Sequence, residues 1–246
     1  FTPDLMPSDV LGTTVFNMKT NEFEFHQGPI FADIVLVDEI NRAPAKTQAA
    51  LFEVMEERQI SIDGITHKMG ELYTILATQN PVEQEGTYKL PEAQLDRFLM
   101  KITMDYPSLE EEVNILERHH TNVSLIKLDD IKPVITKEEL LSLRALMNQV
   151  FVDRTLLQYI ALIVQQTRTS KAVYLGASPR ASVAMLQSSK AYALLQGRDF
   201  VTPEDIKFVA PYVLQHRLIL TAEAEMEGYS PVKVTQRLID KVEVPK

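Results

Sequence analysis

The stretch Ile34-Val35-Leu36-Val37-Asp38-Glu39 joins four apolar residues to two adjacent carboxylates. A short apolar run of this kind is typical of a β-strand that is buried on both faces of a parallel sheet. Open α/β sheets bind their ligands at the carboxyl ends of their strands. We therefore expect Asp38 and Glu39 to lie at the ligand-binding edge of an α/β fold.

A second predicted strand runs from Tyr73 to Thr78 and is followed by Asn80 and Pro81. Because proline cannot donate a hydrogen bond to a neighbouring strand, Pro81 is expected to end the pairing. If the two strands are parallel neighbours, the Asn80 amide reaches the same edge as the two acids. Each feature alone is an ordinary strand end or turn. Together they favour a site that holds a metal and orients water, as ATP hydrolysis requires.

The residues around these strands alternate between strand and helix patterns, which predicts a parallel α/β sheet. A helix is expected to begin at Pro44, a shorter one to lie around Glu92 to Arg97, and a third strand to run from Phe98 to Thr103. Two β-hairpins are also predicted. The looser one covers Thr13 to His26, and the tighter one covers Gln59 to Lys68, where an Asp-Gly pair suits a type I′ turn.

From about residue 108 the sequence has the pattern of helices. Four helix starts carry capping-box spacing or a cap residue directly before proline. They are Ser108 to Glu111, Thr136 to Glu139, Ser178-Pro179 and Thr202-Pro203. A further helix is predicted from about Asp153 to Thr169 with one apolar packing face. This face consists of Leu156, Ile160, Ile163 and Val164.

These patterns predict the domain organisation of the chain. An α/β core covers residues 1–107, a connecting helix and linker cover 108–134, and an all-α domain covers 135–246. The linker is expected at Leu125 to Val134. With 246 residues and 45% hydrophobic content, the chain is long enough for one or two domains with sizeable cores.

The overall composition argues against several classes of protein. A net charge of −9 and a pI near 5.1, without clusters of Lys and Arg, argue against nucleic-acid binding and against a DNA helicase. No apolar stretch approaches the roughly 18 residues of a membrane span, and no signal-peptide pattern is visible. The absence of cysteine excludes disulfides and thiolate metal sites, and it fits a cytoplasmic protein.

Several segments resemble the MoxR family of AAA+ ATPases, and the resemblance extends from Phe1 to about Arg217. The segments are Val37-Asp38-Glu39-Ile40-Asn41-Arg42-Ala43, Ala77-Thr78-Gln79-Asn80-Pro81, Glu85-Gly86-Thr87-Tyr88, Leu90-Pro91-Glu92-Ala93-Gln94-Leu95-Asp96-Arg97-Phe98 and Gly176-Ala177-Ser178-Pro179-Arg180. The resemblance implies an αβα core with a parallel sheet, a helical lid, and homo-oligomeric rings of six subunits with ATP bound between neighbours. It also implies a chaperone-like ATPase that remodels or matures client proteins or inserts cofactors, with partners that contain von Willebrand factor A domains.

The functional residues of the family carry over to matching positions of this sequence. By resemblance, Asp38 is the Walker B acid that supports Mg²⁺, Glu39 the acid that activates water, and Asn80 the sensor 1 residue. Arg97 matches the arginine finger that reaches ATP in a neighbouring subunit, and Arg180 matches the sensor 2 arginine of the lid. ATP and Mg²⁺ are the cofactors that this resemblance implies, and the two hairpins match insertions of the family.

The phosphate-binding loop G-x-x-x-x-G-K-[ST] is missing from the sequence, since none of the eight glycines is followed by Lys-Ser or Lys-Thr. By resemblance to the family, this loop would lie roughly 25 residues upstream of Phe1. We therefore expect the chain to be truncated. We also expect the 246 residues alone to bind ATP poorly, because the backbone amides of that loop hold the phosphates.

Two other functions stay open at the level of sequence. A magnesium-chelatase-like AAA+ subunit would share the hairpins and differ in its client. A non-catalytic scaffold that binds a partner through its helical half would need no phosphate loop. The role of Arg42 also stays open, since a residue beside the acids fits a contact to a neighbouring subunit, a contact to phosphate or a structural ion pair.

The two family-matched arginines also have ordinary structural explanations. Arg97 is consistent with a surface ion pair to Glu92 or Asp96, which lie in the same short segment. Arg180 lies in the first turn of a predicted helix, where a cation opposes the helix dipole. Such a placement favours a phosphate ligand, while an ion pair to a nearby acid such as Glu204 is the alternative.

Overall fold

The computed structural model describes residues 1–80, 88, 90–120 and 131–245. The chain folds into two compact units, Phe1–Leu99 and Met100–Lys246. Some of the predicted features lie outside the described residues: Pro81, the Glu85-Gly86-Thr87 part of one motif, and residues 125–130 of the expected linker. The three-part division at residues 107 and 134 stays a prediction.

The first unit contains a small parallel sheet, two hairpins and short helices. Its helices are α1 (Pro7–Leu11), α2 (Ala45–Glu57) and α3 (Glu92–Leu95), and its strands are β1 (Gly12–Asn17), β2 (Glu22–Gln27), β3 (Ile34–Val37), β4 (Gln59–Ile62), β5 (Ile65–Lys68) and β6 (Thr74–Ala77). Strands β3 and β6 pair in parallel, with Val37 opposite Ala77. The predicted parallel pairing is therefore confirmed.

Strand β3 is buried on one face, whereas the sequence predicted burial on both. Val37 packs into a core with Ile40, Leu51 and Phe52, so that α2 covers this face. On the opposite face Ile34 is 63% and Leu36 is 67% exposed. Side chains alternate across a strand, and that second face is open in the part of the chain that the structure describes.

Both predicted hairpins are confirmed. Strands β1 and β2 pair antiparallel, as do β4 and β5. The β4–β5 turn has positive φ at Asp63 (52°) and Gly64 (80°), which is the requirement of a type I′ turn. The Thr14 hydroxyl donates to Asp63 Oδ2 at 2.5 Å, so the first hairpin is fastened to the turn of the second.

The second unit is mainly helical. Its elements are α4 (Leu109–His120), α5 (Lys137–Gln149), α6 (Arg154–Thr169), β7 (Val173–Leu175), α7 (Pro179–Leu195), α8 (Pro203–Leu214), β8 (Ile219–Leu220), α9 (Ala222–Met226) and α10 (Pro231–Lys241). The four predicted helix starts are confirmed in α4, α5, α7 and α8. A short antiparallel ribbon of β7 and β8, which the sequence did not predict, joins the helices.

The core of the second unit forms around α6. The predicted packing face of this helix is confirmed, since Leu156, Ile160, Ile163 and Val164 are all buried. Side chains of α7, α8 and α10 complete the same cluster. Within the described ranges, no helix is both long and apolar enough to cross a membrane.

The third predicted strand, Phe98 to Thr103, is wrong. These residues form no strand, and Leu99 and Ile102 are largely exposed. A strand needs a neighbour to which its backbone can bond. The Lys101 N–H instead donates to the Tyr212 carbonyl near the end of α8, at 2.9 Å. The Lys101 N–H is therefore satisfied by a helix end and not by the sheet.

Candidate functional site

The two acids and the second polar strand end lie side by side, as the sequence predicted. Beyond the paired strands, the Thr78 N–H donates to the Val37 carbonyl at 2.9 Å, and the Ile40 N–H donates to the Thr78 carbonyl at 3.0 Å. The parallel pairing therefore extends past β3 and β6. Asp38 and Glu39 are held next to Thr78 at the carboxyl edge of the sheet.

The Thr78 hydroxyl bridges the two acidic residues. It donates to Asp38 Oδ1 at 2.5 Å and accepts the Glu39 N–H at 2.9 Å. The first bond restricts the Asp38 carboxylate, and the second restricts the backbone that carries Glu39. Thr78 belongs to a motif that the sequence identified, yet its role was not predicted. A hydroxyl residue directly after a strand, opposite an acid on the next strand, is the signal for this role.

Glu39 has an unusual backbone and an ion pair within the chain. Its φ of 51° and ψ of 54° are left-handed, a conformation that costs a residue other than glycine about 1–2 kcal/mol. Its carboxylate contacts the Arg42 guanidinium at 3.0 Å, with side chains that are 34% and 40% exposed. Backbone strain of this kind clusters at functional sites. Among the three alternatives for Arg42, the structure shows the ion pair.

Asn41 ties Asn80 to the turn that carries the acids. Its buried side chain donates from Nδ2 to the Asn80 carbonyl at 3.1 Å, and its own carbonyl accepts the Tyr88 N–H at 2.6 Å. Its Oδ1 is buried and has no hydrogen-bond partner among the described residues. Asn80 is thereby fixed beside the acids through its backbone. The structure brings together the predicted residues Asp38, Glu39 and Asn80.

Helix α2 clamps the short 3₁₀ turn, Ile40–Arg42, that follows the acids. The buried Gln48 amide donates from Nε2 to the carbonyls of Ile40 at 3.2 Å and Ala43 at 3.1 Å. A buried amide that makes two such bonds fixes the turn against the helix. The sequence reasoning missed Gln48, although a glutamine between the core residues of an apolar helix face was a usable signal.

Arg97 lies just after α3 and is held by α2. Its Nη1 forms an ion pair with Glu56 and donates to the Phe52 carbonyl at 3.3 Å. The sequence alternative named Glu92 or Asp96 as the ion-pair partner of Arg97. In the structure this partner is Glu56 on α2. The Phe98 ring meets the Phe52 ring edge-on, with centroids 5.8 Å apart, so the neighbouring residue anchors the segment. The position of Arg97 is thus fixed by α2 and not by the turn that carries Asp38 and Glu39.

Arg180 lies in the second unit, in the first turn of α7, as predicted. The Ser178 hydroxyl caps this helix by accepting the Arg180 N–H at 3.2 Å. The loop before the cap is fixed because the Thr167 hydroxyl accepts the Ala177 N–H at 3.0 Å. The loop also packs closely, since a Cβ on Gly176 would lie 2.8 Å from the Thr167 carbonyl oxygen. The Arg180 backbone therefore has a defined place in its own unit.

The oxygen donors at the sheet edge suit Mg²⁺. Carboxylate and amide oxygens are the hard ligands that Mg²⁺ prefers, and the ion is usually held by one or two carboxylates together with substrate phosphates. Asp38, Glu39 and the orphaned Asn41 Oδ1 supply such oxygens at or next to the edge. The residues present therefore fit the metal, while the sequence lacks a glycine-rich loop to hold phosphates.

Comparisons with known protein families identify both parts of the chain. The family described as "ATPase family associated with various cellular activities (AAA)" matches residues 1–100, which include the acids, Asn80 and Arg97. An AAA lid domain matches residues 165–240, which include Arg180. The order of the two matches is the order of core and lid that the sequence predicted.

Individual proteins match the whole chain. The uncharacterised protein YeaC of Bacillus subtilis is 47% identical over 248 residues, which are 100% of this chain and 76% of the relative. Chaperone MoxR1 of Mycobacterium tuberculosis is 42% identical over 255 residues, with 100% of this chain and 66% of the relative covered. The crystal structure of a candidate ATPase from Cytophaga hutchinsonii has a TM-score of 0.90 at 40% identity, and the match covers 100% of this chain and 76% of that one.

Proposed function

Because this chain belongs to the MoxR family of AAA+ ATPases, we propose that it hydrolyses ATP with Mg²⁺ in a homo-oligomeric ring and uses the cycle to remodel client proteins. The observation that supports this most is the Thr78 bridge, which restricts the Asp38 carboxylate and the Glu39 backbone at one sheet edge. An edge of this kind is where α/β sheets bind ligands.

In the proposed reaction, Asp38, oriented by Thr78, would hold Mg²⁺, and the metal would supply neutralisation of phosphate charge. Glu39 orients the attacking water and takes up its proton as the water oxygen bonds to the γ-phosphorus and the bond to ADP breaks. The exposed ion pair between Glu39 and Arg42 is of a kind worth at most about 1 kcal/mol, so exchanging Arg42 for water is inexpensive. Asn80, fixed through Asn41, contacts the transferred phosphate.

The two arginines complete the proposed site from elsewhere. Arg97 reaches the ATP of a neighbouring subunit and stabilises the charge that develops on the phosphate, a contribution of roughly 10³ to 10⁵ in rate for such arginines. Arg180 contacts the nucleotide from the lid, so that the position of the lid follows the nucleotide state. This division of labour requires a ring, and we propose a hexamer.

The proposed biological role is chaperone-like maturation or cofactor insertion in the cytoplasm. A relative that is 42% identical is named a chaperone, which supports this role over that of a magnesium-chelatase subunit. The proposed partners are further copies of this chain, proteins with von Willebrand factor A domains, and client proteins. The acidic composition, with a net charge of −9, favours protein partners over nucleic acid.

The test is steady-state hydrolysis of Mg-ATP by the full-length protein. We expect turnover by the wild type, and a loss of at least about 10²-fold in Glu39→Gln, since removing a positioned base costs this much. Binding of a fluorescent ATP analogue should be retained in the same variant. The matched control is Glu57→Gln, which removes an exposed carboxylate of α2 and should keep wild-type turnover.

The proposed function fails if the wild type does not hydrolyse ATP under these conditions, whether assembled or not. The role proposed for Glu39, though not the ATPase activity itself, fails if Glu39→Gln hydrolyses ATP as fast as the Glu57→Gln control. In the first case the scaffold becomes the leading explanation. In the second case the water-activating acid has been assigned to the wrong residue.

A further inference from the structure

Glu56 holds one edge of the Arg97 guanidinium. The Nη1 atom forms the ion pair with Glu56 and donates to the Phe52 carbonyl at 3.3 Å. Phe52 and Glu56 are four residues apart on α2, so both acceptors belong to the same face of one helix. Because two acceptors on a rigid helix bind a single nitrogen, they restrict both where the guanidinium lies and how it is turned.

The rest of Arg97 is restrained as well. Its backbone N–H donates to the Gln94 carbonyl at 3.2 Å. Its Nε is buried and has no hydrogen-bond partner among the described residues, so this nitrogen does not compete with Nη1 for an acceptor on α2. The side chain as a whole is 29% exposed. Glu56 and Phe52 thus provide the polar contacts that fix the guanidinium in this unit.

The depression that contains Arg97 also provides a control. It is lined by Ala49, Phe52, Glu53, Glu56, Glu57, Gln94 and Arg97. Three carboxylates therefore line this depression together with the arginine, but only Glu56 forms an ion pair with it among the described residues. A specific hydrogen-bonding role belongs to Glu56.

We propose that Glu56 is a positioning residue that holds Arg97 in the orientation in which it reaches the ATP of a neighbouring subunit. This inference depends on the proposed function. Arginine has a long side chain with many rotamers, and fixing it before the neighbour binds removes an ordering cost from the reaction. In this scheme Glu56 contacts neither the nucleotide nor the attacking water, and it affects the reaction through Arg97.

The experiment compares ATP hydrolysis by the full-length wild type with that of Glu56→Gln, Glu56→Asp and the control Glu57→Gln. We expect kcat to fall roughly tenfold in Glu56→Gln, because misplacing a catalytic group by a short distance has effects of up to about 10²-fold. KM for ATP should stay within about twofold, since orientation of Arg97 affects the transition state more than substrate binding. Glu56→Asp, which keeps the charge, should recover part of kcat, and Glu57→Gln should match the wild type.

A double-variant cycle with Arg97→Ala separates positioning from a general structural effect. If Glu56 acts through Arg97, adding Glu56→Gln to Arg97→Ala lowers kcat no further. The inference is overturned if the two losses multiply, if Glu57→Gln loses as much as Glu56→Gln, or if Glu56→Gln raises kcat. An inactive wild type would contradict the proposed function instead, so the two failures are distinguishable.

Discussion

Two arginine–carboxylate pairs, one in each unit of the molecule, differ in how far solvent can reach them. The side chains of Arg97 and Arg198 are almost equally exposed, at 29% and 28%. Their acidic partners are not, since Glu56 is 35% exposed and Asp205 only 2%. The exposure of the arginine therefore does not separate a structural pair from one that is available for chemistry. We infer that the burial of its partner does.

In the second unit, both members of the pair make further hydrogen bonds. Arg198 binds Asp205 with two nitrogens, at 2.8 and 2.5 Å, and also donates to the Phe200 carbonyl at 3.1 Å. Asp205 in turn accepts the Thr202 N–H at 2.8 Å and so caps α8. Burial alone would raise the pKa of Asp205, but the hydrogen bonds from Arg198 and Thr202 outweigh burial and hold this pKa below its usual value.

The pair in the first unit has fewer hydrogen-bonding nitrogens and a more exposed carboxylate. Arg97 uses a single nitrogen for both of its acceptors on α2, whereas Arg198 uses two nitrogens for one carboxylate. A bidentate pair is stronger and geometrically more specific than a single contact. We infer that Arg198 serves the stability of its unit, while Arg97 is held in place but stays exchangeable.

The largest expected effect is that of Arg97→Ala on hydrolysis. If Arg97 is the trans-acting arginine, kcat should fall by roughly 10³-fold or more, because the transition-state charge loses its counterion. The free energy of unfolding should change little, since ion pairs that are accessible to solvent contribute at most about 1 kcal/mol. Steady-state hydrolysis and urea denaturation measure the two quantities. Arg198→Ala is the matched variant. It should lower the free energy of unfolding and change kcat little.

Asp205→Asn should have the next largest effect, this time on stability. The substitution leaves Arg198 facing a neutral partner and weakens the cap of α8. The loss of charge-assisted hydrogen bonds to this buried carboxylate should cost about 1.5–3 kcal/mol of unfolding free energy. Urea denaturation measures the loss. The comparison of the two pairs would be broken if Asp205→Asn were no less stable than Glu56→Gln.

The contribution of Asp205 should also depend on pH. Because its pKa is lower in the folded than in the unfolded chain, its stabilisation is present above the unfolded value of about 3.9 and is lost as pH falls through the lower folded value. The stability difference between wild type and Asp205→Asn should therefore be constant near neutral pH and shrink below about pH 4. A difference that did not change down to acid unfolding would contradict the assigned direction.

Arg198→Lys should have the smallest effect of the four predicted here. Lysine keeps the charge but cannot form the two parallel contacts to Asp205, so thermal unfolding should occur at a lower temperature than in the wild type. The decrease should be smaller than that caused by Asp205→Asn, because the buried carboxylate keeps a cationic partner. A melting temperature equal to that of the wild type would show that the bidentate geometry adds nothing.

The parts of the fold that the sequence predicted are those with strong local signals. Capping residues identified the starts of α4, α5, α7 and α8, and the Asp-Gly pair identified the β4–β5 turn. The apolar run before Asp38 identified a strand of the parallel sheet. The third strand was predicted wrongly because apolar residues around Ile102 satisfy a strand pattern, although their backbone pairs elsewhere.

The candidate site was predictable only in part, for a related reason. Asp38 and Glu39 come directly after β3, and Asn80 lies three residues after β6, so their neighbourhood could be inferred from the parallel pairing. The residues that orient them act over long sequence separations. Glu56 contacts a residue 41 positions away, and Thr78 one 40 positions away. No local pattern predicts such contacts, because they depend on how α2 and the sheet pack together.

The most direct test of the shared site is to mix two inactive variants. Arg97→Ala subunits keep Glu39 but lack the arginine, and Glu39→Gln subunits keep the arginine but lack the acid. If the site is completed by a neighbour, mixed assemblies contain interfaces with both intact residues, and hydrolysis should rise well above the sum of the two separate preparations. If hydrolysis stays at that sum in assemblies shown to contain both variants, Arg97 does not act in the site of a neighbouring subunit.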